Sequence, residues 1–243
     1  MNLEAMEPLG LALADYFQGN TSAALIIRRD DGVGTTLPVR HFFRGPDDFS
    51  AIENMALDLC NGWVLDVGAG SGLHSLVLQA RGLSVTAIDI SRHAVDIMSQ
   101  RGIEEVHCAD IFHFTGGPFD TLLMMGHGIG VAENVAGLDR FLQHARSLLA
   151  EDGQVLLDSS DVRKTDDPAH LAYHEANRQA GRYIGEIRVQ VEYQGKVGPT
   201  CGWLHVDAET LAKHAKQANW RFDVILEEPP GDYLARLTRE RAA

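Results

Sequence analysis

Short apolar runs alternate with amphipathic stretches through the middle of the chain. The apolar runs predict buried strands at residues 63–67, 84–90, 105–110, 119–126 and 154–160. Between them, apolar residues recur at helical spacing, which predicts helices at residues 73–82, 91–102 and 135–153. Strands that are apolar throughout and alternate with helices are typical of a parallel sheet covered on both faces. The pattern therefore predicts an α/β fold with a doubly wound sheet.

The two flanks of this central pattern differ from it. Residues 1–62 form an N-terminal flank with helical stretches, a turn-rich segment at residues 28–36 and the aromatic segment "RHFFRG". We expect residues 1–45 of this flank to form a lid over the ligand site. Residues 161–243 contain a helix from Pro168, two period-two segments that predict an antiparallel pair, and a last helix followed by two strands. We found no repeat and no low-complexity linker. The chain is therefore expected to be one domain, with residues 63–160 as its ligand-binding core.

Composition and charge narrow the classes of function. Apolar residues make up 45% and charged residues 23% of the 243 positions, as in an ordinary globular domain. The formal net charge of −13 disfavours nucleic acid as a partner. Three separated cysteines and histidines without HxH or HExxH spacing predict reduced thiols and no metal site. Without a secretory signal or a membrane-length apolar segment, we expect a cytoplasmic protein.

A glycine-rich segment, "VLDVGAGSG", joins the first strand of the core to its first helix. Gly68, Gly70 and Gly72 allow either a tight turn without a ligand or a turn whose backbone a ligand approaches closely. In a doubly wound sheet, ligands bind at the carboxyl ends of the strands, where helix N-termini also offer free N–H groups. The position of the loop favours the ligand-binding interpretation.

Acidic residues occur near the carboxyl ends of three successive strands. Asp66 lies inside the first strand, where a buried acid needs hydrogen bonds, and we expect it to accept them from N–H groups of the loop. Asp89 follows Gly68 by 21 positions and is placed either to bind a ribose or to cap a helix. Asp110, followed by Ile111, is either an adenine contact or a solvated carboxylate.

The ordered segments "VLDVGAGSG", "AIDIS", "CADIF", "FDTLLMMG" and "LLAEDGQVLLDS" resemble the motifs of class I S-adenosylmethionine-dependent methyltransferases. The resemblance covers about residues 60–160 and extends to the last helix and strand. It implies a Rossmann-like fold with a seven-stranded, mostly parallel sheet, an N-terminal lid and a small antiparallel insertion. It also implies S-adenosylmethionine as cofactor, with the methionine part at the glycine loop, the ribose at Asp89 and the methyl group above Met125. The implied cofactor-binding residues are Asp66, Gly68, Ala69, Gly70, Gly72, Asp89, Ile90, Asp110, Ile111, Met125 and Gly126.

Other side chains are candidates for contact with substrate or cofactor. His127 follows the fourth strand and is either a general base or a loop histidine that shapes the floor of the site. Arg44 is either a partner for the carboxylate of the cofactor or a surface arginine. Trp203 either packs in the fold or stacks on the substrate, and Tyr173 and Asn177 share a helix face that either reaches the substrate or faces solvent.

The segment after the fourth strand reads "MGHGIGV" and lacks the proline-aromatic motif of methyltransferases that act on adenine, cytosine or glutamine amino groups. We therefore expect a monomer or homodimer that methylates an oxygen, nitrogen or sulfur atom of a small molecule. Two alternatives stay open. One is an NAD(P)-dependent oxidoreductase, although the loop lacks a further glycine and the chain has no Tyr-xxx-Lys pair. The other is a non-catalytic protein that binds S-adenosylmethionine.

Overall fold

The computed structural model describes residues 2–240 of the chain. Its α-helices are Leu3–Phe17 (α1), Ala51–Leu59 (α2), Leu73–Ala80 (α3), Arg92–Gln100 (α4), Val135–Leu148 (α5), Pro168–Gln179 (α6) and Ala208–Gln217 (α7). Its strands are Ala24–Arg29 (β1), Gly34–Pro38 (β2), Trp63–Val67 (β3), Ser84–Asp89 (β4), Glu105–Cys108 (β5), Phe119–Met124 (β6), Leu149–Ser160 (β7), Glu186–Tyr193 (β8), Lys196–Val197 (β9), Cys201–Leu204 (β10), Trp220–Glu228 (β11) and Asp232–Arg239 (β12).

Seven strands form the main sheet, in the order β11-β12-β7-β6-β3-β4-β5. The pairs from β7 to β5 are parallel, and β12 and β11 are antiparallel additions at one edge. This confirms the predicted seven-stranded, mostly parallel sheet. The chain runs outward from β3 through β4 to β5 and then returns to β6 on the other side of β3. The order of strands thus reverses beside β3, which creates a crevice at the carboxyl ends of β3 and β6.

A second sheet lies outside this core. Its order is β10-β8-β1-β2, with β9 paired to β8, and all its pairs are antiparallel. The sequence analysis predicted the pairing of the β8 and β10 segments but took residues 28–36 as turns. In the structure only residues 30–33 form a turn, and the ends of β1 and β2 occupy the rest of this segment. β1 pairs with β2 on one side and with β8, more than 150 residues away, on the other, and no local pattern reveals such a partner.

The first helix, α1, closes one side of the second sheet. Ala5 and Leu13 of α1 pack with Leu25 of β1, Val191 of β8 and Ile97 of α4 in one apolar cluster. The main sheet has its own apolar layers, one beneath α5 and α7 and the other beneath α2 and α3. The contacts of α1 therefore join the N-terminal flank to both sheets, and the space left between the sheets forms the candidate site.

Candidate active site

A large cavity lies between the carboxyl ends of the main sheet and the inner face of the second sheet. Its volume is about 990 Å³, which is at the upper end of the range of small-molecule sites, roughly 300–1,000 Å³. The eleven implied cofactor-binding residues, Arg44 and His127 make thirteen candidates, and eleven of these line the cavity: Arg44, Gly68, Ala69, Gly70, Asp89, Ile90, Asp110, Ile111, Met125, Gly126 and His127. Asp66 and Gly72 do not line it.

The glycine loop between β3 and α3 turns its backbone toward this cavity. Gly68 and Gly70 have φ values of 70° and 58°, in the left-handed region that side chains with a Cβ rarely adopt. No atom lies within 4 Å of a Cβ built on either residue, so the loop leaves open space on that side. Gly72 differs, since a Cβ there would lie 2.1 Å from Ile103 Cδ1. Gly72 thus permits close packing of α3, whereas Gly68 and Gly70 permit close approach of a ligand.

Asp89, at the end of β4, faces the cavity and holds the glycine loop. Its carboxylate accepts hydrogen bonds from the backbone N–H groups of Ser91, at 2.8 Å, and Gly70, at 3.0 Å. Burial raises the pKa of Asp89, and these two N–H groups act in the opposite direction. Each carboxylate oxygen has a second lone pair, so Asp89 can also accept from the hydroxyl groups of a ribose. The predicted helix cap is formed by Ser91 instead.

Asp110 and Ile111 follow β5 at the next position along the cavity. The Asp110 carboxylate accepts from the backbone N–H of Phe112 at 3.0 Å, which fixes its orientation. Ile111 is buried, with 4% of its surface exposed, and belongs to the apolar layer beneath α5. The pair therefore presents a fixed acceptor beside an apolar side chain to the cavity, and its contact with adenine stays a prediction.

Asp66 lies below the cavity rather than in it. The side chain is buried, and its carboxylate accepts a hydrogen bond from the Ser75 hydroxyl at 2.6 Å. The prediction that Asp66 accepts from the loop N–H groups is wrong, because Gly68 and Ala69 donate to the Ile88 carbonyl and Gly70 donates to Asp89. Asp66 instead ties β3 to α3.

Arg44 lines the cavity, but an internal partner holds its guanidinium. It donates to Glu53 Oε1 at 2.5 Å, and His74 Nε2 lies 2.7 Å from the same oxygen. Burial raises the pKa of Glu53, but the bonds from His74, Ser50 and Arg44 outweigh it and lower that pKa to about 2. Arg44 is therefore not a free surface arginine, and Glu53 is a carboxylate that competes with any ligand for it.

Met125, Gly126 and His127 follow the end of β6 and form the floor of the cavity. His127 has a left-handed backbone, with φ of 57°, and its backbone N–H donates to both carboxylate oxygens of Asp158, at 2.9 and 3.1 Å. A non-glycine residue in this conformation is strained by roughly 1–3 kcal/mol and persists only when its surroundings fix it. The hydrogen bonds to Asp158 fix the backbone of His127, and they thereby fix the position from which its side chain extends.

The His127 imidazole is paired with a carboxylate. Nε2 lies 3.3 Å from Asp232 Oδ1, at the start of β12. Burial lowers the pKa of His127, but the bond to Asp232 and the negative charge of Asp158 outweigh it, and the pKa is raised above the ordinary value of 6.5. The same bond lowers the pKa of Asp232. With Nε2–H donated to Asp232, Nδ1 keeps a lone pair and can accept a proton.

His205 stands beside this pair and was not predicted. The rings of His127 and His205 are 5.1 Å apart between centroids and meet edge to face. Burial and the charge of His127 lower the pKa of His205 to about 4, so its ring is neutral at neutral pH. Asp158 could have been found from the sequence, because it too lies near the carboxyl end of a parallel strand. Asp232 and His205 belong to antiparallel segments without any local motif.

Of the three remaining candidates, one lines the cavity and two are buried elsewhere. Trp203 lines the cavity and also packs on Gly130, where a Cβ would lie 2.1 Å from the indole. Tyr173 and Asn177 are buried away from the cavity, which contradicts both the substrate-contact and the solvent-facing interpretations. The Tyr173 hydroxyl donates to Asp30 at 2.7 Å, and the Asn177 amide donates to the Ile184 and Glu186 carbonyls.

Comparison with known proteins identifies the family to which this fold and cavity belong. A family model described as a methyltransferase domain matches residues 49–224. The structure of a methyltransferase from Bacteroides fragilis, solved in complex with S-adenosyl-L-homocysteine, is 32% identical, with a TM-score of 0.85 over 98% of this chain and 97% of that one. The chain belongs to the S-adenosylmethionine-dependent methyltransferases. The oxidoreductase alternative is thereby excluded, and S-adenosylmethionine is the cofactor.

More distant structures share the fold of this methyltransferase. One from Methanosarcina mazei is 18% identical, with a TM-score of 0.60 over 79% of this chain and 98% of that one. A sugar N-methyltransferase from Streptoalloteichus is 15% identical, with a TM-score of 0.57 over 83% of this chain and 92% of that one. Comparison with curated protein sequences yields no significant match.

The residues of the cavity suit the cofactor chemically. The open space beside Gly68 and Gly70 admits a ligand close to the backbone, and Asp89 and Asp110 offer acceptors for hydroxyl and amino groups. Within residues 2–240, no group of three or more His, Cys, Asp and Glu side chains is arranged to hold a metal ion. In the same part of the chain, no helix combines the length and apolar character needed to cross a membrane.

Proposed function

We propose that this methyltransferase acts on a small-molecule acceptor that gives up a proton to His127. The observation that carries the proposal is the His127–Asp232 pair, which lines the same cavity as the glycine loop and Gly126. The cavity has room for cofactor and acceptor together, and its volume is that of a small-molecule site. The net charge of −13 opposes a nucleic acid acceptor.

The residues around the cofactor have distinct tasks in this proposal. Gly68, Ala69 and Gly70 bind the methionine part, Asp89 with Ile90 the ribose, and Asp110 with Ile111 the adenine. When bound, S-adenosylmethionine supplies the methyl group, which its sulfonium activates for transfer. Met125 and Gly126 form the floor on which the acceptor is aligned with that methyl group.

His127 is the general base in this proposal. Asp232 accepts from Nε2–H, which fixes the tautomer and leaves the lone pair of Nδ1 for the proton of the acceptor. The carboxylate also stabilises the imidazolium that forms, consistent with the raised pKa of His127. A base of this kind contributes about 10²–10⁴-fold to the rate, or roughly 3–5 kcal/mol of the barrier.

Replacement of His127 tests the proposal. Methyl transfer from tritiated S-adenosylmethionine is measured with a panel of small alcohols, phenols and amines, and with DNA, RNA and protein. His127→Asn is suitable because asparagine tolerates the left-handed backbone of this position. His107→Asn, on the exposed end of β5, is the matched control. We expect label in small molecules, a loss of about 10²–10⁴-fold in His127→Asn and none in the control.

Two results would contradict the proposal. One is label that enters only nucleic acid or protein. The other is a His127→Asn variant that binds the cofactor normally and keeps its rate within about tenfold of the wild type, since alignment alone would then drive the reaction.

A further inference from the structure

The inner face of the second sheet forms an apolar wall of the cavity. Residues at alternate positions of four strands line the cavity, as expected when one face of a sheet points inward. Two of them are polar, Thr35 of β2 and Arg29 of β1, whose guanidinium is paired with Asp31. The apolar ones are Leu25 and Ile27 of β1, Leu37 of β2, Ile187, Val189 and Val191 of β8 and Trp203 of β10. We call this set the sheet wall.

Strand pairing makes the sheet wall continuous. Leu25 lies opposite Leu37 on β2, and Ile27 lies opposite Val191 on β8. Four neighbouring strands span about 14 Å at a spacing of roughly 4.8 Å. On the side of α1, Met6, Leu9 and Leu13 also line the cavity and extend the apolar surface. An acceptor that fills this space needs an elongated apolar body.

Polar groups gather at the end of the cavity beside Gly126. His127 and His205 are both there, and the carboxylates of Asp158 and Asp232 accept from the backbone and the ring of His127. Both carboxylates thus already accept hydrogen bonds from His127, although each keeps further lone pairs. A cationic amine would have to share them with His127, whereas a hydroxyl group needs only a donor and an acceptor.

His205 supplies a donor at this end. Its Nδ1 is buried and has no hydrogen-bond partner among the described residues. A buried N–H without a partner is rarer than a buried acceptor without one, so the proton belongs on the other ring nitrogen, Nε2. Since His205 lines the cavity, Nε2–H is the group that can donate to an oxygen atom of a bound molecule.

We propose that the acceptor is an uncharged molecule with an elongated apolar body and a hydroxyl group at one end. The body lies against the sheet wall, and the hydroxyl group lies between His127, which accepts its proton, and His205, whose Nε2–H donates to its oxygen. The inference rests on the proposed function for the role of His127. It adds the class of acceptor and a positioning role for His205.

Three probes with one shared apolar body test the class of acceptor. The first, 4-butylphenol, carries a hydroxyl group, and 4-butylbenzylamine carries an ammonium group. Butylbenzene has the same apolar body without any polar group. Their dissociation constants are measured by calorimetry or ligand-observed NMR on the protein saturated with S-adenosylhomocysteine. We expect 4-butylphenol to bind at least about tenfold more tightly than the other two, because only its hydroxyl group can form a hydrogen bond with each of the two imidazoles.

Two variants separate the hydroxyl contact from the apolar contact. His205→Phe keeps a ring but removes the donor, so we expect 4-butylphenol to lose about tenfold in affinity while butylbenzene is unchanged. Ile27→Ala shortens a side chain of the sheet wall and should weaken both probes by about five- to tenfold. Ile26→Ala is the matched control, because Ile26 is equally half-buried in β1 but does not line the cavity.

The proposal is overturned by any of four results. These are equal or tighter binding of 4-butylbenzylamine, a hydroxyl preference that persists in His205→Phe, equal effects of Ile27→Ala and Ile26→Ala, and no binding of any probe at millimolar concentration. None of these titrations needs turnover. If His127 is not the base, the proposed function fails in the rate assay while the binding preferences measured here stay intact.

Discussion

Asp89 accepts from the N–H groups of Gly70 and Ser91 and also faces the cavity, so one carboxylate fixes the loop and, in the proposed function, offers acceptors to the ribose. Asp89→Ala should weaken S-adenosylhomocysteine by about 1.5–3 kcal/mol, the range for hydrogen bonds to a charged group. Calorimetry measures the change, with Asp96→Ala on the exposed face of α4 as control. An unchanged dissociation constant in folded Asp89→Ala removes the residue from the cofactor site.

The buried imidazole of His205 should make the folded protein less stable at acidic pH. Its pKa is lowered in the folded protein by burial and by the charge of His127, to about 4. Folding thus favours the neutral ring. The resulting stability is fully present above the ordinary pKa of 6.5 and is lost as the pH falls toward 4. Over this window, the free energy of unfolding of wild type should fall by up to about 3 kcal/mol more than that of His205→Phe. Urea unfolding at neutral pH and near pH 4 measures the difference, and parallel losses in both proteins would contradict it.

At the scale of elements, the effect of a glycine substitution depends on what surrounds the glycine. Gly72→Ala should destabilise the fold more than Gly82→Ala, although both have positive φ. The left-handed backbone costs about 1–2 kcal/mol in each. Only Gly72 adds a clash, 2.1 Å from Ile103 Cδ1, which costs a further 1–3 kcal/mol or so by overpacking. Urea unfolding gives both values, and equal losses would show that the Ile103 side chain, just after α4, moves aside freely.

The order of strands and helices from β3 to β7 could be predicted from the sequence, because each element is a local run with its own period and each glycine signal is local. Asp89 and Asp110 could be found for the same reason. β1 and β2 could not, since their inward residues become part of a wall only because β1 pairs with the distant β8. Asp232 and His205 approach His127 through the antiparallel strands β12 and β10, and a long-range juxtaposition of this kind leaves no spacing in the sequence.

At the scale of the whole molecule, the N-terminal flank connects the cofactor side to the acceptor side. Ser71 of the glycine loop donates to the Phe42 carbonyl, and Phe43 stacks on Tyr16 of α1 with ring centroids 4.7 Å apart. Arg44 and His41 line the cavity from the same segment. These contacts place residues 39–45 where cofactor binding can order them, as the lid interpretation of the sequence requires.

Hydrogen exchange tests the lid. Saturation with S-adenosylhomocysteine should slow exchange of the backbone amides at residues 39–45, because a bound ligand disfavours the local opening of segments that contact it. Residues 194–198, in the turn around β9 and outside the cavity, should be unaffected and serve as internal control. Unchanged exchange at residues 39–45 would make this segment an ordinary packed flank.

The pH dependence of kcat/KM for methyl transfer to a hydroxyl acceptor tests the central claim, that His127 held by Asp232 takes the proton of the acceptor. The base must be neutral to act, so the rate should rise with pH to a plateau, with an apparent pKa above 6.5 in the wild type. Asp232→Asn removes the hydrogen-bonded carboxylate that stabilises the imidazolium, so the step should move to lower pH. His127→Asn should lose the step altogether, together with about 10²–10⁴-fold in rate. An identical pH step in wild type and His127→Asn would contradict the account.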